Sequence, residues 1–318
     1  MVLQTDIRHI GGSTLEVSAV GVGTWQWGDT SIWQYGQSYG TQDVDDAFKA
    51  SLEAGINFFD TAEVYGRGLS ETLLGKAARK ANSPVVIATK YAPLPMRLKP
   101  AEVEKALEAS LNRLGLSSVD LYQVHWPYSL IQQEDLMVAL SGAVKLGKAK
   151  AVGVSNYNAA QLERAANLLE KYGVKLASNQ VQYSLLHRKP EKNGVLEACR
   201  RLNVSLIAYS PLAQGLLTGK YSGQGATEVS GLRRFMPNFR TKGLAKIEPL
   251  IKELKSIAAE REKTPAQVAL NWLLSRDKLV LVIPGAKNAK QATQNAGALG
   301  WQLTEREFAR LDKASAAI

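Results

Sequence analysis

Eight short apolar segments, separated by stretches of helical periodicity, constrain the fold of this 318-residue chain more than any other feature. Near-continuous apolar runs are typical of parallel strands that are covered on both faces. Strand–helix alternation repeated eight times favours closure into a barrel over an open sheet. The predicted strands are residues 19–25, 57–62, 85–90, 120–126, 149–156, 177–181, 205–210 and 279–285. We therefore expect an α/β fold, a single (β/α)8 TIM barrel domain over residues 1–318.

The segments between these strands carry helix boundary signals. Thr41 is the predicted cap of a helix that stops near Gly55, and a second helix runs from Pro100 to Gly115. Thr264 is followed directly by a proline, the residue preferred at the first position of a helix. These signals support the alternation of strands and helices.

Two segments depart from the repeat. Residues 6–18 predict a β-hairpin with Gly11 and Gly12 at its turn, placed to plug the bottom of the barrel. Residues 212–245 form a long connection after the seventh strand, rich in Gly, Ser, Arg and Pro. A loop of this length inside a compact domain is usually functional or disordered.

Composition narrows the classes of partner. The net charge is +10, but the basic residues are mixed with apolar and acidic ones and accompany no nucleic-acid motif, which favours a solvated basic face. No apolar run approaches the roughly 18 residues of a membrane span, and the first residues do not predict a signal peptide. The single cysteine, Cys199, fits a reducing compartment. We expect a cytoplasmic protein, a monomer, with no nucleic-acid or membrane partner.

Polar side chains follow several of the predicted strands. Asp60, Lys90 and His125 stand at the carboxyl ends of three of them, where catalytic residues of a TIM barrel are found. A buried Asp or Lys is costly unless it is paired. The other two histidines, His9 and His187, lie far away in sequence, and no cysteine lies nearby, so we expect no metal site.

An ordered series of motifs completes the pattern. The motifs are DTAEVYG (60–66), ATK (88–90), QVHW (123–126), VGVSN (152–156), AYSPL (208–212), GLLTGKY (215–221) and IPGA (283–286). Together they resemble the aldo-keto reductase superfamily, from about residue 7 to the last helix. Among its subgroups, the chain is similar to bacterial and plant reductases and to potassium-channel β subunits.

The resemblance implies NADPH-dependent reduction of aldehydes or ketones to alcohols, with four catalytic residues. Tyr65 is the implied general acid, and Lys90 lowers its pKa. Asp60 pairs with Lys90 and orients it, while His125 orients the substrate carbonyl. The physical chemistry agrees, since hydride addition places negative charge on oxygen and requires a proton donor and preorganised dipoles.

The implied cofactor is NADPH/NADP⁺, bound by the barrel loops and not by a Rossmann unit. Residues ending the fifth and sixth strands hold the nicotinamide carboxamide, Tyr209 stacks on its ring, and the loop after the seventh strand covers the pyrophosphate. The matching positions are Gly23, Thr24, Trp25, Asp60, Ser155, Asn156, Gln180, Tyr209, Ser210, Pro211, Leu212, Gln214, Gly215, Leu217, Lys220, Arg240, Ile283, Gly285, Ala286, Lys287, Gln291, Gln294 and Asn295.

The resemblance specifies cofactor selectivity and substrate preference less completely. Lys287 favours NADPH, while Gln291 replaces an arginine that is frequent in the family and leaves discrimination against NADH open. The implied substrate-binding residues are Trp25, Trp27, Tyr65, His125 and Trp126, with Trp33 and Tyr128 as further aromatic candidates. Packing in the core is an equally good explanation for each tryptophan. Methylglyoxal, other aldehydes and pyridoxal are candidate substrates.

Two alternatives stand beside the reductase. The first is a redox-sensing regulatory or scaffold subunit that binds NADPH with little turnover. The resemblance to potassium-channel β subunits suggests this role. The second is a (β/α)8 hydrolase or phosphate-sugar enzyme, which would need a carboxylate pair or metal constellation that the sequence does not show.

Overall fold

The eight predicted strands form a closed parallel barrel. The structure, a computed structural model, describes residues 6–81, 83–223, 226–229, 234–316 and 318. The barrel strands follow one another in chain order, and backbone hydrogen bonds from Gly21 N to Val282 O (2.8 Å) and from Gly23 N to Pro284 O (3.1 Å) join the first strand to the last. They are β3 (Val22–Gly23), β4 (Phe58–Asp60), β5 (Val86–Tyr91), β6 (Val119–Val124), β7 (Ala149–Ser155), β8 (Leu176–Gln182), β9 (Ser205–Tyr209) and β10 (Val280–Ile283). The (β/α)8 prediction is confirmed.

Helices surround the barrel, and two of the predicted boundaries can be judged by their caps. Thr264 caps its helix as predicted, since its hydroxyl accepts a hydrogen bond from Gln267 N. Thr41 does not cap: the cap residue is Gly40, whose N–H donates to Asp43, because the acidic side chain of the first turn reaches back to the chain before the helix. The helices are α1 (Thr41–Glu53), α2 (Leu69–Ala81), α3 (Ala101–Leu114), α4 (Gln133–Lys145), α5 (Ala159–Glu170), α6 (Lys189–Lys192), α7 (Val195–Leu202), α8 (Thr241–Glu260), α9 (Pro265–Arg276), α10 (Ala289–Ala296) and α11 (Glu305–Ala316).

The N-terminal hairpin closes one end of the barrel, as predicted. Its strands, β1 (Ile7–His9) and β2 (Glu16–Ser18), pair in antiparallel register. Three side chains of this segment, Ile10, Leu15 and Val17, pack with the lower interior residues of the barrel, all of them buried. The bottom of the barrel is therefore filled by apolar side chains.

The connection after β9 is shorter than the predicted 212–245. Its described residues include the 3₁₀ turns Ala213–Thr218 and Pro237–Phe239, and α8 already begins at Thr241. The sequence did not predict this start because Gly243 lies in the first turn and glycine disfavours helix. Glycine is needed there, since a Cβ would lie only 2.7 Å from Asn238 Cα. Residues 224, 225 and 230–233 of the predicted loop lie outside the described residues.

The interior of the barrel changes character along its axis. Near the hairpin it is lined by apolar residues such as Phe58, Leu121 and Leu281. Two residues further along the strands, where side chains return to the same face, Phe58 is followed by Asp60 and Leu121 by Gln123, both buried. The polar layer therefore lies at the carboxyl ends of the strands. In the described part of the chain, no helix is both long and apolar enough to cross a membrane.

Candidate active site

A buried ion pair forms the centre of the polar layer. Asp60 ends β4 and Lys90 lies near the end of β5, and the pairing of these strands brings the two side chains together. Lys90 Nζ donates to Asp60 Oδ2 at 2.5 Å and to the carbonyl of Thr61 at 2.7 Å. The side chains of Lys90 and Asp60 are 0% and 2% exposed. Two charges at this depth are tolerated because each is paired and hydrogen-bonded.

Tyr65 completes this cluster from a turn that follows β4. Its hydroxyl lies 3.3 Å from Lys90 Nζ. The turn, Tyr65–Gly68, depends on Gly66, which has a left-handed backbone (φ 54°) and no room for a side chain, since a Cβ there would lie 2.6 Å from Gly28 O. The close approach of these two glycines presses the turn against the loop after β3 and fixes the tyrosine over the barrel.

The protonation states of this cluster follow from burial and charge. Burial raises the pKa of Tyr65; the nearby Lys90 ammonium lowers it and Asp60 raises it, and the pKa remains above its usual value. Burial lowers the pKa of Lys90, but Asp60 and Tyr65 raise it, and the balance is a raised pKa. At neutral pH the tyrosine is therefore a phenol and the lysine is an ammonium.

The second carboxylate oxygen of Asp60 is held by two amides that motif comparison did not connect with it. Gln180 Nε2 donates to Asp60 Oδ1 at 2.7 Å, and Gln123 Nε2 donates to the same oxygen at 3.2 Å. Gln123 Oε1 in turn accepts a hydrogen bond from Ser178 Oγ at 3.2 Å. The alternation of β6 carried a signal for Gln123, because residues 123 and 125 share a face. The signal did not identify Asp60 as its partner.

His125 lies beside the cluster as a neutral imidazole. Burial, with a smaller contribution from Lys90, lowers the pKa of His125 to about 2 from its ordinary value of 6.5. Its ring is stacked on that of Trp126, with centroids 3.7 Å apart, and meets the Tyr65 ring edge-on at 5.7 Å. A neutral histidine can donate a hydrogen bond to a substrate oxygen without bringing a second positive charge next to Lys90.

The residues that end β7 and β9 form a second hydrogen-bonded group. Asn156 Nδ2 donates to the carbonyl of His125 and to Ser155 Oγ, both at 3.1 Å, and Asn156 Oδ1 accepts from the Tyr209 hydroxyl at 3.1 Å. Ser155 Oγ donates to the carbonyl of Gln180. Asn156 has a left-handed backbone (φ 63°), which is tolerated by asparagine better than by most residues. The structure therefore brings together four of the sequence-predicted cofactor positions.

The loop after β9 is conformationally strained. Ser210, Ala213 and Gln214 have φ values of 50°, 48° and 56°, and Gly215 has φ 100°. Successive residues of this kind can turn their backbone N–H groups towards one side and form a concave anion site. A Cβ built on Gly215 would lie 3.7 Å from Lys220 Nζ, so a cation accompanies the loop.

Three other predicted cofactor contacts have different surroundings. Pro211 is buried, Leu217 lies in the core, and Arg240 is exposed and donates to Phe235 O.

The segment after β10 is held by its own contacts. Lys287 Nζ donates to Trp33 O at 2.9 Å and lies over the rings of Trp33 and Tyr39, 5.3 Å and 4.4 Å from their centroids. Gln291 Oε1 accepts from Lys287 N, and Asn295 Nδ2 donates to Gly285 O. Two further predicted residues of this segment, Ile283 and Ala286, are buried in the interior. The backbone carbonyl of Gln294 accepts a hydrogen bond from Gln267 Nε2.

The aromatic candidates divide between pocket and core. Trp25 lies next to Tyr65, with ring centroids 6.4 Å apart, and Trp126 is 36% exposed above His125. Trp27 is fully buried against Phe59, and its indole N–H donates to Ala286 O. Packing accounts for Trp27 without a substrate, and Thr24 is likewise fully buried, with its hydroxyl bonded to Asp60 O and Ser70.

A salt bridge that the sequence did not predict fixes the loops around Tyr65. Arg97 donates to Glu63 through Nη1 at 2.5 Å and through Nη2 at 2.8 Å. Ala92 N also donates to Glu63, at 2.6 Å. The turn that carries Tyr65 is thereby tied to the loop after β5. Within the described residues, no three His, Cys, Asp or Glu side chains lie together in a way that could hold a metal ion.

A buried Lys–Asp pair with a phenol within hydrogen-bond distance lies at the carboxyl end of the (β/α)8 barrel, an arrangement that can transfer a proton. Comparison with known proteins specifies the class. The model of the Aldo/keto reductase family matches residues 19–316, and the chain belongs to this family of oxidoreductases.

Individual relatives agree with this assignment over almost the whole chain. A chloroplastic pyridoxal reductase of Arabidopsis thaliana is 40% identical over 314 residues, which is 95% of this chain and 84% of the relative. The structure of a glycerol dehydrogenase from Gluconobacter oxydans superposes with a TM-score of 0.85 at 28% identity, covering 98% and 96% of the two chains. An aldo-keto reductase from Klebsiella pneumoniae, solved in complex with NADPH, has a TM-score of 0.75 at 30% identity over 98% and 95%.

Proposed function

We propose that this chain reduces aldehydes or ketones to alcohols with NADPH, and that Tyr65 donates the proton to the carbonyl oxygen. The observation that carries the proposal is the buried contact of Lys90 with both Asp60 and Tyr65, at 2.5 and 3.3 Å. A tyrosine is a weak acid in water. An ammonium at hydrogen-bond distance stabilises the phenolate that remains once the proton has been given up.

The other residues of the site prepare the carbonyl for this transfer. A neutral His125 at the rim of the cluster donates a hydrogen bond that orients the substrate oxygen towards Tyr65. Asp60 keeps Lys90 in place, and burial of this ion pair excludes water from the charges beside Tyr65. When bound, the cofactor supplies the hydride that adds to the carbonyl carbon. The alcohol oxygen thus receives its proton from the protein.

The residues present fit an NADPH cofactor. The left-handed backbone at Ser210 and from Ala213 to Gly215, with Lys220 beside it, suits a pyrophosphate. The amide and hydroxyl groups of Ser155, Asn156 and Gln180 lie together at the edge of the catalytic cluster and suit the nicotinamide carboxamide. The solved Klebsiella relative binds NADPH. We therefore assign the cofactor-binding role to these strand ends, and Lys287 to the 2′-phosphate.

The substrate side favours carbonyls with a planar or apolar substituent. Trp25 lies beside Tyr65 and Trp126 is stacked on His125, and Trp126 keeps part of its surface open to solvent. Aromatic walls of this kind bind flat rings and apolar chains. Because one relative is named a pyridoxal reductase, pyridoxal is the first aromatic aldehyde to assay, alongside methylglyoxal as a small one. The single cysteine is buried and free, which fits a reducing compartment, and we place the reaction in the cytoplasm.

The proposal is tested by following NADPH absorbance with a panel of aldehydes and ketones, and repeating the panel with NADH. Oxidation of NADPH by at least one carbonyl, with the alcohol as product in equal amount, is the expected result. Tight NADPH binding with no turnover of any carbonyl would refute the reductase and favour a redox-sensing subunit.

A further inference from the structure

A buried polar contact in the middle of the barrel lies outside the four proposed catalytic residues. We propose that Gln123, held by Ser178, is a positioning residue that keeps the Asp60 carboxylate correctly oriented for proton transfer from Tyr65. The inference deepens the proposed function and rests on it. Gln123 contacts none of the reacting groups in the proposal and acts through Asp60 alone.

The hydrogen bonds around Gln123 allow only one orientation of its amide. Gln123 is fully buried, and its amide lies between a carboxylate and a hydroxyl. A carboxylate accepts and cannot donate, so the NH₂ group must face Asp60. The carbonyl end must then face Ser178, whose hydroxyl donates to it at 3.2 Å. Asp60 thus sets the orientation of the amide, and Ser178 satisfies the amide oxygen and holds the side chain in place.

The neighbouring strand is built around this pair. Gly153 of β7 lies between β6 and β8, and a Cβ at this position would overlap Ser178 Oγ and lie 3.1 Å from Gln123 Cγ. Glycine is thus required at Gly153 for a reason that concerns its two neighbours. The backbone of the motif VGVSN therefore makes room for the Ser178–Gln123 contact, which continues to Asp60.

The contact matters because Asp60 is shared. One oxygen, Oδ2, pairs with Lys90, and the other, Oδ1, is bonded only by amide groups in the described structure. If Gln123 were lost, Asp60 would keep more of its charge uncompensated and would draw Lys90 away from Tyr65. Asp60 raises the proton affinity of Tyr65 and Lys90 lowers it. Both changes make the phenol a weaker acid.

Gln123→Met keeps the length of the side chain and removes the donor. Tyrosine labelled with ¹³C at Cζ allows Tyr65 to be titrated by NMR without substrate or cofactor, with its signal identified by its loss in Tyr65→Phe. We expect the titration midpoint to rise by roughly half a pH unit. We also expect kcat for carbonyl reduction to fall roughly tenfold, the effect of one hydrogen bond to a charged group, with the Kd for NADPH unchanged.

Thr89→Val is the matched control, because Thr89 is a fully buried residue of β5 that also loses one hydrogen bond, to Glu71, outside the catalytic cluster. It should leave the Tyr65 midpoint unchanged. Ser178→Ala, a smaller change, should raise the midpoint in the same direction but less, and it serves if Gln123→Met does not fold. An unchanged midpoint in both variants, or an equal shift in Thr89→Val, would overturn the role of Gln123. Because the titration needs no turnover, failure of the reductase proposal would be seen separately, in the wild-type assay.

Discussion

At the residue scale, the centre of the site is a pair of charged side chains that are buried despite the desolvation penalty. A buried ion pair is often no more stabilising than apolar residues of the same size. Asp60 and Lys90 are nevertheless almost completely buried, so their chemistry, and not stability, is the better reason for their presence. Strand-end position predicted them from the sequence. The role of Gln123 could not be predicted, since its partner lies 63 positions away in sequence.

His125 makes a prediction about stability because its pKa in the folded protein is about 2, below the ordinary 6.5. Below pH 6.5 the unfolded chain gains a proton that the folded imidazole does not. The free energy of unfolding should therefore fall as the pH drops from 6.5 to about 5, with a contribution approaching about 1.4 kcal/mol per pH unit. Chemical denaturation at several pH values measures it.

His125→Gln should remove this contribution, whereas the exposed His9→Gln should retain it. If the pH dependence of unfolding in His125→Gln equals that of the wild type, the imidazole is not held neutral by the fold.

At the element scale, the loops at the carboxyl ends of the strands carry most of the backbone strain. In the described part of the chain, eight non-glycine residues have positive φ, and six of them are in these loops; they are Gln34, Arg67, Asn156, Ser210, Ala213 and Gln214. Such conformations cost of order 1 kcal/mol or more each, and they cluster at functional sites. Sequence periodicity does not report them, because they depend on the loops around them. The start of α8 was mispredicted in the same region.

The segment after β10 gives a prediction about cofactor choice. If Lys287 meets the 2′-phosphate, Lys287→Met should lower the ratio of kcat/KM for NADPH to that for NADH roughly tenfold, because a charged contact is lost with one cofactor only. Steady-state assays with both cofactors measure the ratio.

Lys290→Met is the control, since Lys290 is an exposed lysine on the same segment. Lys287 also contacts Trp33, so a change confined to the KM of the carbonyl, with the cofactor ratio unchanged, would show that it fixes the aromatic loop and does not read the phosphate.

At the scale of the whole molecule, the interior of the barrel has two parts. Apolar side chains and the hairpin fill one end, and the polar layer lies at the other. The eight strands, the hairpin and their order were predicted from the sequence because hydrophobic periodicity reports which faces are covered. Features that depend on contact between distant segments were not predicted, such as the Glu63–Arg97 salt bridge, whose partners are 34 positions apart. These contacts determine how the loops are held over the site.

The plug predicts a difference between two adjacent glycines of the hairpin turn. Gly11 has φ 52°, and a Cβ there would overlap Ala177 O and lie 2.9 Å from Asn203 O. A Cβ at Gly12 would make only ordinary contacts with two side chains, Lys175 at 3.5 Å and Asn203 at 3.6 Å. Gly11→Ala should therefore lower the free energy of unfolding by about 2 kcal/mol, and Gly12→Ala by much less. Equal effects in thermal unfolding would contradict the close packing of the hairpin on the barrel.

The most direct test of the central claim is the kcat of Tyr65→Phe with a carbonyl that the wild type reduces, measured together with the Kd for NADPH. The hydroxyl is needed only in the transition state, so kcat should fall by at least about a thousandfold while the Kd stays within a factor of about two. A variant that keeps most of its kcat would show that the proton comes from another group and that Tyr65 is not the acid.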